Sequence, residues 1–254
     1  MLNVWRSVDA LPPLEDGEIQ VWRLLLDDRH NLIDTCMPLL TLEERQQAER
    51  RRAGRVREEF AMARVCLRIL LGNALAVEPL SLVFSAGPYG KPALSMDGCK
   101  ISFNVTHSHG VILIALSRTG NLGIDVEHLD RPADIMEVAE SAFHPDEVEM
   151  LRSIDSHEIK RLAFYRCWTQ KEAIIKADGR GLSLPLSSFK VPALSATGVA
   201  VEIEIEGSSG EQCKRYCLNN IPLEGPVVGA IAADLHNCRM SWLNFPLSAF
   251  ECRL

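Results

Sequence analysis

Residues 101–127 read ISFNVTHSHGVILIALSRTGNLGIDVE, and their reading decides the fold class. Two short apolar runs, 101–106 and 111–117, flank a polar turn that ends on Gly110. Such a pairing predicts an antiparallel hairpin. Residues 122–127 predict a further strand. Upstream, 18–26 (EIQVWRLLL) alternates and then turns apolar, as a first strand does. Thr41 followed by Glu44 is a capping box. Behind it Phe60, Ala63, Leu67, Leu70 and Leu71 recur at spacings of three and four, so a helix runs to about Ala76, with Gly54 as a candidate break. A short strand is expected at 81–84. Downstream, helices are expected at 133–142, from His144-Pro145-Asp146-Glu147 onward, and over 158–178 with a stop at Gly179. Strands return at about 199–205, 214–218 and 227–234, between turns at Gly207, Gly210 and Gly225.

Strand, helix, strands, and then helix and strands again: this order predicts an α+β protein of two similar halves, 1–117 and 118–254. Of the 254 residues 47% are hydrophobic and 24% charged, which excludes general disorder and fibrous repeats. A net charge of −7 argues against a surface devoted to nucleic acid. No apolar run approaches the roughly 18 residues a spanning helix needs, and residues 1–16 carry acids and two prolines rather than a secretion signal. A cytoplasmic protein without a membrane partner is expected. The eight cysteines are scattered and form no CxxC pair, so they read as reduced, mostly buried thiols rather than a zinc site.

Four constellations carry chemistry. Asp125 and Glu127 alternate with Ile124 and Val126, so a strand presents both carboxylates on one face. That face is either a solvated acidic surface or the place of a hard divalent cation. In 168–176 (WTQKEAIIK) Trp168, Glu172 and Lys176 stack on one helical face. Glu172 and Lys176 read either as a surface ion pair or, with Asp125 and Glu127, as part of a magnesium site completed by water and a phosphate. At the end of a strand, Asn104 to His109 offers imidazoles and hydroxyls either to a phosphate or simply to the turn. Eight arginines (Arg45, Arg50, Arg51, Arg52, Arg55, Arg57, Arg64 and Arg68) face five acids within 41–68. They form either a solvated helix face or a site for a polyanion, whose oxygens the guanidinium fork matches. The turn 87–92 (GPYGKP) presents Lys91.

In this order and spacing, Gly90-Lys91-Pro92, Phe103 to Ser108, Gly123 to Glu127 and Trp168 to Lys176 resemble the motifs of the 4′-phosphopantetheinyl transferases of the Sfp type. Residues 181–186 (GLSLPL) resemble the segment that follows the helix in that family. The resemblance implies a pseudo-dimer of two α+β halves with coenzyme A and magnesium (or manganese) at the junction. It implies transfer of the phosphopantetheine arm of coenzyme A to a serine of an apo acyl or peptidyl carrier protein, with release of adenosine 3′,5′-bisphosphate, by a monomeric enzyme. Asp125, Glu127 and Glu172 match the metal positions. Lys91, Pro92, Thr106, His107, Lys171 and Lys176 fall in the coenzyme A-binding motifs. Arg52, Arg57 and Arg64 are the candidates for the 3′-phosphate and adenine end. Thr106 stands where the family has serine, and His109 where it often has glycine.

Glu172, Lys176 and His107 are the expected catalytic groups: the resemblance suggests Glu172 as base toward the serine, directly or through a magnesium-bound water, while Lys176 and His107 add positive charge for the departing phosphate and Lys176 is a candidate to protonate it. Two rival readings stay open. One is a magnesium-dependent phosphohydrolase or nucleotidyl transferase. The other is a coenzyme A- or carrier-binding protein without turnover.

Overall fold

The computed structural model describes residues 4–26, 34, 36–51, 54–87, 89–96, 98–130, 134–197, 199–206, 212–234 and 238–251. The chain begins with β1 (Arg6–Ser7) and β2 (Glu18–Leu25), followed by helices α1 (Leu42–Glu49) and α2 (Arg55–Leu75). Strands β3 (Phe84–Ala86), β4 (Pro92–Leu94), β5 (Ser102–Ser108), β6 (Val111–Ser117) and β7 (Leu122–His128) come next. Three helices follow: α3 (Ile135–Ala142), α4 (Pro145–Ser153) and α5 (His157–Asp178). Strands β8 (Val201–Ile205), β9 (Lys214–Asn220), β10 (Val227–Ala233) and β11 (Arg239–Asn244) and the short helix α6 (Ser248–Glu251) end the chain. The fold is α+β.

Local signals account for most boundaries. Thr41 and Glu44 close the capping box at α1 through both reciprocal bonds. Gly54, at φ +88°, separates α1 from α2. His144 caps α4 with Glu147 in the same reciprocal way. Gly179, in the left-handed region at φ +86°, stops α5. Ser108 pairs with Val111, so His109 and Gly110 alone make the β5–β6 turn, at φ +48° and +84°. Both central residues of that turn are left-handed, which explains glycine at 110 and why 109 favours glycine as well.

The strand expected at 81–84 is displaced. Pro79–Ser81 forms a 3-10 turn, and Ser81 returns both its N–H and its hydroxyl to the Glu78 carbonyl. The strand starts only at Phe84.

Two compact units emerge, and they are not the contiguous halves 1–117 and 118–254. One comprises 1–87, 92–119 and 237–254; the other comprises 88–91 and 120–236. The first unit holds a five-stranded sheet in the order β1-β11-β2-β6-β5, with α2 against β5 and β6. The strand β11, absent from the sequence reading, returns there to pair parallel with β2 from Arg239↔Glu18 to Asn244↔Arg23. Trp22, Leu67, Ile69, Leu71, Ile112 and Ile114 lie in its core.

The second unit holds the sheet β7-β10-β9-β8 with α5 across β7 and β10. Its core includes Phe164, Cys167, Ala173, Ile174 and Tyr216. Trp168 packs there with Phe143 and Phe164, so this residue of the helix motif is a packing residue. Among the described residues the cysteines are free thiols, and burial pushes that of Cys36 up to about 11. Among those residues no helix is long and apolar enough to cross a membrane.

Candidate active site

The first unit contains a cavity of about 280 Å³ between α2 and β5. Arg51, Phe60, Arg64, Pro92, Phe103 and His107 line it. Arg64 reaches it by two supports: its guanidinium lies 4.9 Å over the Phe84 ring, and Nε sits 3.4 Å from Glu44. Burial, with the neighbouring charges of Arg68 and Arg51, lowers its pKa against the pull of Glu44. Arg51 stacks over Phe60 at 3.8 Å. The cavity therefore offers two guanidiniums, an imidazole and aromatic faces to one ligand, a composition suited to an anionic aromatic molecule.

Not every arginine of the cluster serves this cavity. Arg68 is buried, forks onto both oxygens of Glu44 at 2.8 and 3.0 Å, and donates to the carbonyls of Pro79 and Leu82. Arg45 donates to the carbonyls of Leu40 and Pro38. Arg55 reaches the His109 carbonyl. Arg57 does not line the cavity, and its Nε is buried without a hydrogen-bond partner among the described residues. Arg52 lies outside the described residues.

His107 is held by a residue the sequence reading missed. Glu59, buried on α2, brings Oε2 to 3.1 Å from His107 Nδ1 and accepts the Gly110 N–H on Oε1 at 2.6 Å. Its only sequence signal was a glutamate at the head of the apolar run 60–71. Thr106 is buried and sits on the face of β5 opposite His107, so it does not line the cavity.

The second unit carries the carboxylates. Asp125 and Glu127 project from one face of β7, and Glu172 and Lys176 come from α5, which crosses that strand. This close crossing depends on Gly123: a Cβ there would fall 2.7 Å from the Lys176 Cβ, and nearer still to the backbone of Ala173 and Ala177. Lys176 Nζ donates to Asp125 Oδ1 at 2.6 Å and to the Ile124 carbonyl at 3.2 Å. Burial and the charges of Asp125 and Glu127 raise the pKa of Glu172, and Lys176 only partly offsets them. The three carboxylates thus share one electrostatic neighbourhood with a single ammonium.

Among the described residues no three His, Cys, Asp or Glu side chains converge closely enough to stand as a preformed metal cage. The donor chemistry nonetheless fits a magnesium ion. All three groups are hard oxygen donors, and the crowding that raises the Glu172 pKa is what a divalent cation relieves.

Two lysines depart from the expected roles. Lys171 is fully buried: Nζ pairs with Glu147 at 2.8 Å and donates to the carbonyls of Leu186 and Phe189. It faces the core between α5, α4 and 186–189 and reaches no ligand surface, so its assignment to coenzyme A is corrected. Helix periodicity explains this, since Lys171 and Glu172, one residue apart, point about 100° apart. Lys91 belongs to the second unit, donates to the Leu122 carbonyl at 2.9 Å and does not line the cavity. Burial lowers its pKa against the charges of Asp234 and Asp178.

Comparison with known proteins gives concordant matches. A profile of the 4′-phosphopantetheinyl transferase superfamily matches residues 121–228. The chain is 34% identical to the 4′-phosphopantetheinyl transferase HetI of Nostoc sp. over 183 residues, 71% of this chain and 77% of that one. It is 39% identical to the protein slr0495 of Synechocystis sp. over 166 residues, 65% of this chain and 66% of that one. It is 29% identical to the 4′-phosphopantetheinyl transferase Sfp of Bacillus subtilis over 167 residues, 66% of this chain and 72% of that one.

Proposed function

We propose a division of labour among the residues of this chain, which belongs to the 4′-phosphopantetheinyl transferase superfamily. The chain is an enzyme of that name: it takes coenzyme A and transfers the phosphopantetheine group to carrier proteins. We assign the acceptor as a serine hydroxyl of an apo acyl or peptidyl carrier protein, and the leaving group as adenosine 3′,5′-bisphosphate. We read the enzyme as cytoplasmic and monomeric, with two related α+β halves.

In this reading Asp125, Glu127 and Glu172 hold a magnesium ion. Such an ion, when bound, neutralises charge on a pyrophosphate and orients it for displacement. The remaining work falls to the protein. We assign Glu172 as the base that takes the serine proton, directly or through a water, because it is the carboxylate that the helix brings to the strand pair. Lys176, already anchored on Asp125, presents its ammonium to the phosphate that departs with the bond electrons. In the first unit His107 and Arg64, with Pro92 beside them, line the cavity and are our candidates for the phosphates and adenine end of coenzyme A. Lys91, which uses one of its three donors on the Leu122 carbonyl, remains our candidate for another phosphate contact.

The observation that carries this reading is the crossing of α5 over β7, which sets Glu172 and Lys176 against the strand face of Asp125 and Glu127, with Lys176 paired to Asp125 at 2.6 Å. A hydrolase would hand the same phosphorus to water, so the acceptor decides between them. The enzyme is incubated with coenzyme A, magnesium and an apo-carrier, and the carrier is weighed by mass spectrometry. One phosphopantetheine is expected on its serine, and none on a carrier whose serine is replaced by alanine. Glu172→Gln, which keeps size and removes charge, is expected to lower transfer about 100-fold or more. Hydrolysis of coenzyme A with several carriers left unmodified would refute the transfer, and full turnover in excess chelator would refute the metal assignment.

A further inference from the structure

We propose that Glu59 is a positioning residue for His107: its carboxylate decides which imidazole nitrogen is left for coenzyme A. This rests on the reading that His107 meets a phosphate of that substrate.

The geometry is a clamp between α2 and the β5–β6 turn. The two-residue turn leaves the Gly110 N–H outside the ladder, and Glu59 Oε1 takes it at 2.6 Å. The Gly110 carbonyl accepts the Leu26 N–H at 2.7 Å. One helical turn before Glu59, Arg55 donates to the His109 carbonyl. At position 110, where φ is +84°, a Cβ would lie 2.6 Å from Arg55 Nη1, the movable end of a long side chain, and 3.0 Å from the Leu26 carbonyl oxygen, so glycine fits the turn best. The second oxygen of the same carboxylate then meets His107 Nδ1 at 3.1 Å. One buried side chain thereby ties the turn and the imidazole into a single rigid piece.

A carboxylate only accepts, so Nδ1 carries the hydrogen of that bond. The nitrogen left for a ligand is Nε2, on a ring that lines the cavity with Arg51 and Arg64. A phosphate oxygen also only accepts, so Nε2 must donate to it, and the ring that binds phosphate is the imidazolium with Glu59 as its counter-charge. Glu59 faces the ring from α2, Arg51 and Arg64 line the same cavity, and Arg55 acts on Glu59. Burial works to raise the pKa of Glu59, but the bonds from His107 and Gly110 and the nearby Arg55 outweigh it, so Glu59 stays ionised at neutral pH.

Glu59→Gln separates charge from shape. The amide oxygen can keep the Gly110 N–H, and the NH2 group then faces Nδ1 and donates to it. The ring becomes the neutral Nε2–H tautomer, which still donates to a phosphate but without a charge. A charge-assisted bond is about twice as strong as a neutral one, so the KM for coenzyme A is expected to rise about tenfold. Any fall in kcat should stay well below that of Glu172→Gln, because the carboxylates of the second unit are untouched.

The test combines the single variants Glu59→Gln and His107→Ala, their double variant, and 15N spectra of labelled imidazoles. The unaltered protein should show His107 protonated at Nδ1 in the absence of ligand; an unprotonated Nδ1 overturns the proposal without recourse to any variant. In Glu59→Gln the proton should move to Nε2, the KM should rise tenfold, and the rise should vanish when His107 is already alanine. A rise that persists in the double variant marks Glu59 as merely structural and overturns the proposal. Unchanged KM in Glu59→Gln, with His107→Ala impaired, overturns it as well. Unchanged KM in His107→Ala overturns the phosphate reading itself, a result distinguishable from failure of Glu59 alone.

Discussion

Replacing Gly123 by alanine tests whether the close crossing of α5 over β7 builds the site. The added Cβ would stand 2.7 Å from the Lys176 Cβ, where ordinary contact begins at 3.4 Å, so helix and strand must part by at least 0.7 Å. Nearer obstacles are backbone atoms of Ala173 and Ala177, which cannot rotate away. Overpacking against side chains costs about 1–3 kcal/mol; against backbone the upper end applies, and a loss of about 3 kcal/mol is expected in urea unfolding. The displacement opens the gap between Asp125 and Glu127 on the strand and Glu172 and Lys176 on the helix. Misplacement near 1 Å costs about 100-fold in rate, so transfer to an apo-carrier, followed by mass spectrometry on the folded fraction, should fall by that order. Gly225→Ala is the control. Its φ is +80° with open space around it, so it should cost about 1–2 kcal/mol and spare transfer. A Gly123→Ala protein within 1 kcal/mol of the parent and with undiminished transfer would refute the reasoning.

Two further outcomes are expected. Lys171→Met leaves Glu147 buried without its cation and should cost about 3–5 kcal/mol in urea unfolding; the KM for coenzyme A of the protein that remains folded should stay unchanged, whereas a selective rise would restore Lys171 to the ligand site. At Asp178 burial works to raise the pKa, but bonds from Arg180 and Tyr216 and the charge of Lys214 lower it below 3.8 overall. Its stabilising contribution is therefore present above pH 3.8 and lost as pH falls through the lowered value, so the stability gap between parent and Asp178→Asn should shrink in acid below pH 4. A gap that ignores pH would show that the carboxylate's charge contributes nothing.

What the sequence by itself determined is the local part. Thr41 and Glu44, the helix start at His144 to Glu147, the stop at Gly179 and a hairpin turn within 107–110 were legible because each depends on partners at most four residues apart, although the strand runs on to Ser108 and leaves only His109 and Gly110 in the turn. The shared face of Asp125 and Glu127 was legible because a strand alternates with a period of two. The family was legible because its motifs are short and ordered along the chain. The tertiary structure decided what depends on where the chain returns. The run 239–244 carries no local mark of the partner it finds, yet it pairs with residues 221 positions earlier and draws the C-terminus into the first unit. Lys171 and Lys176 look alike in the helix motif, but α4 and 186–189 cover one and leave the other partly exposed, so one cation stabilises the core and one pairs with Asp125 among the carboxylates. Arg68 and Arg64 differ likewise, because Pro79 and Leu82 close over the first. Glu59 became visible only when α2 met a turn 51 residues later. Burial and hydrogen bonding assign these charges their roles, and both are properties of distant segments brought together rather than of any one segment.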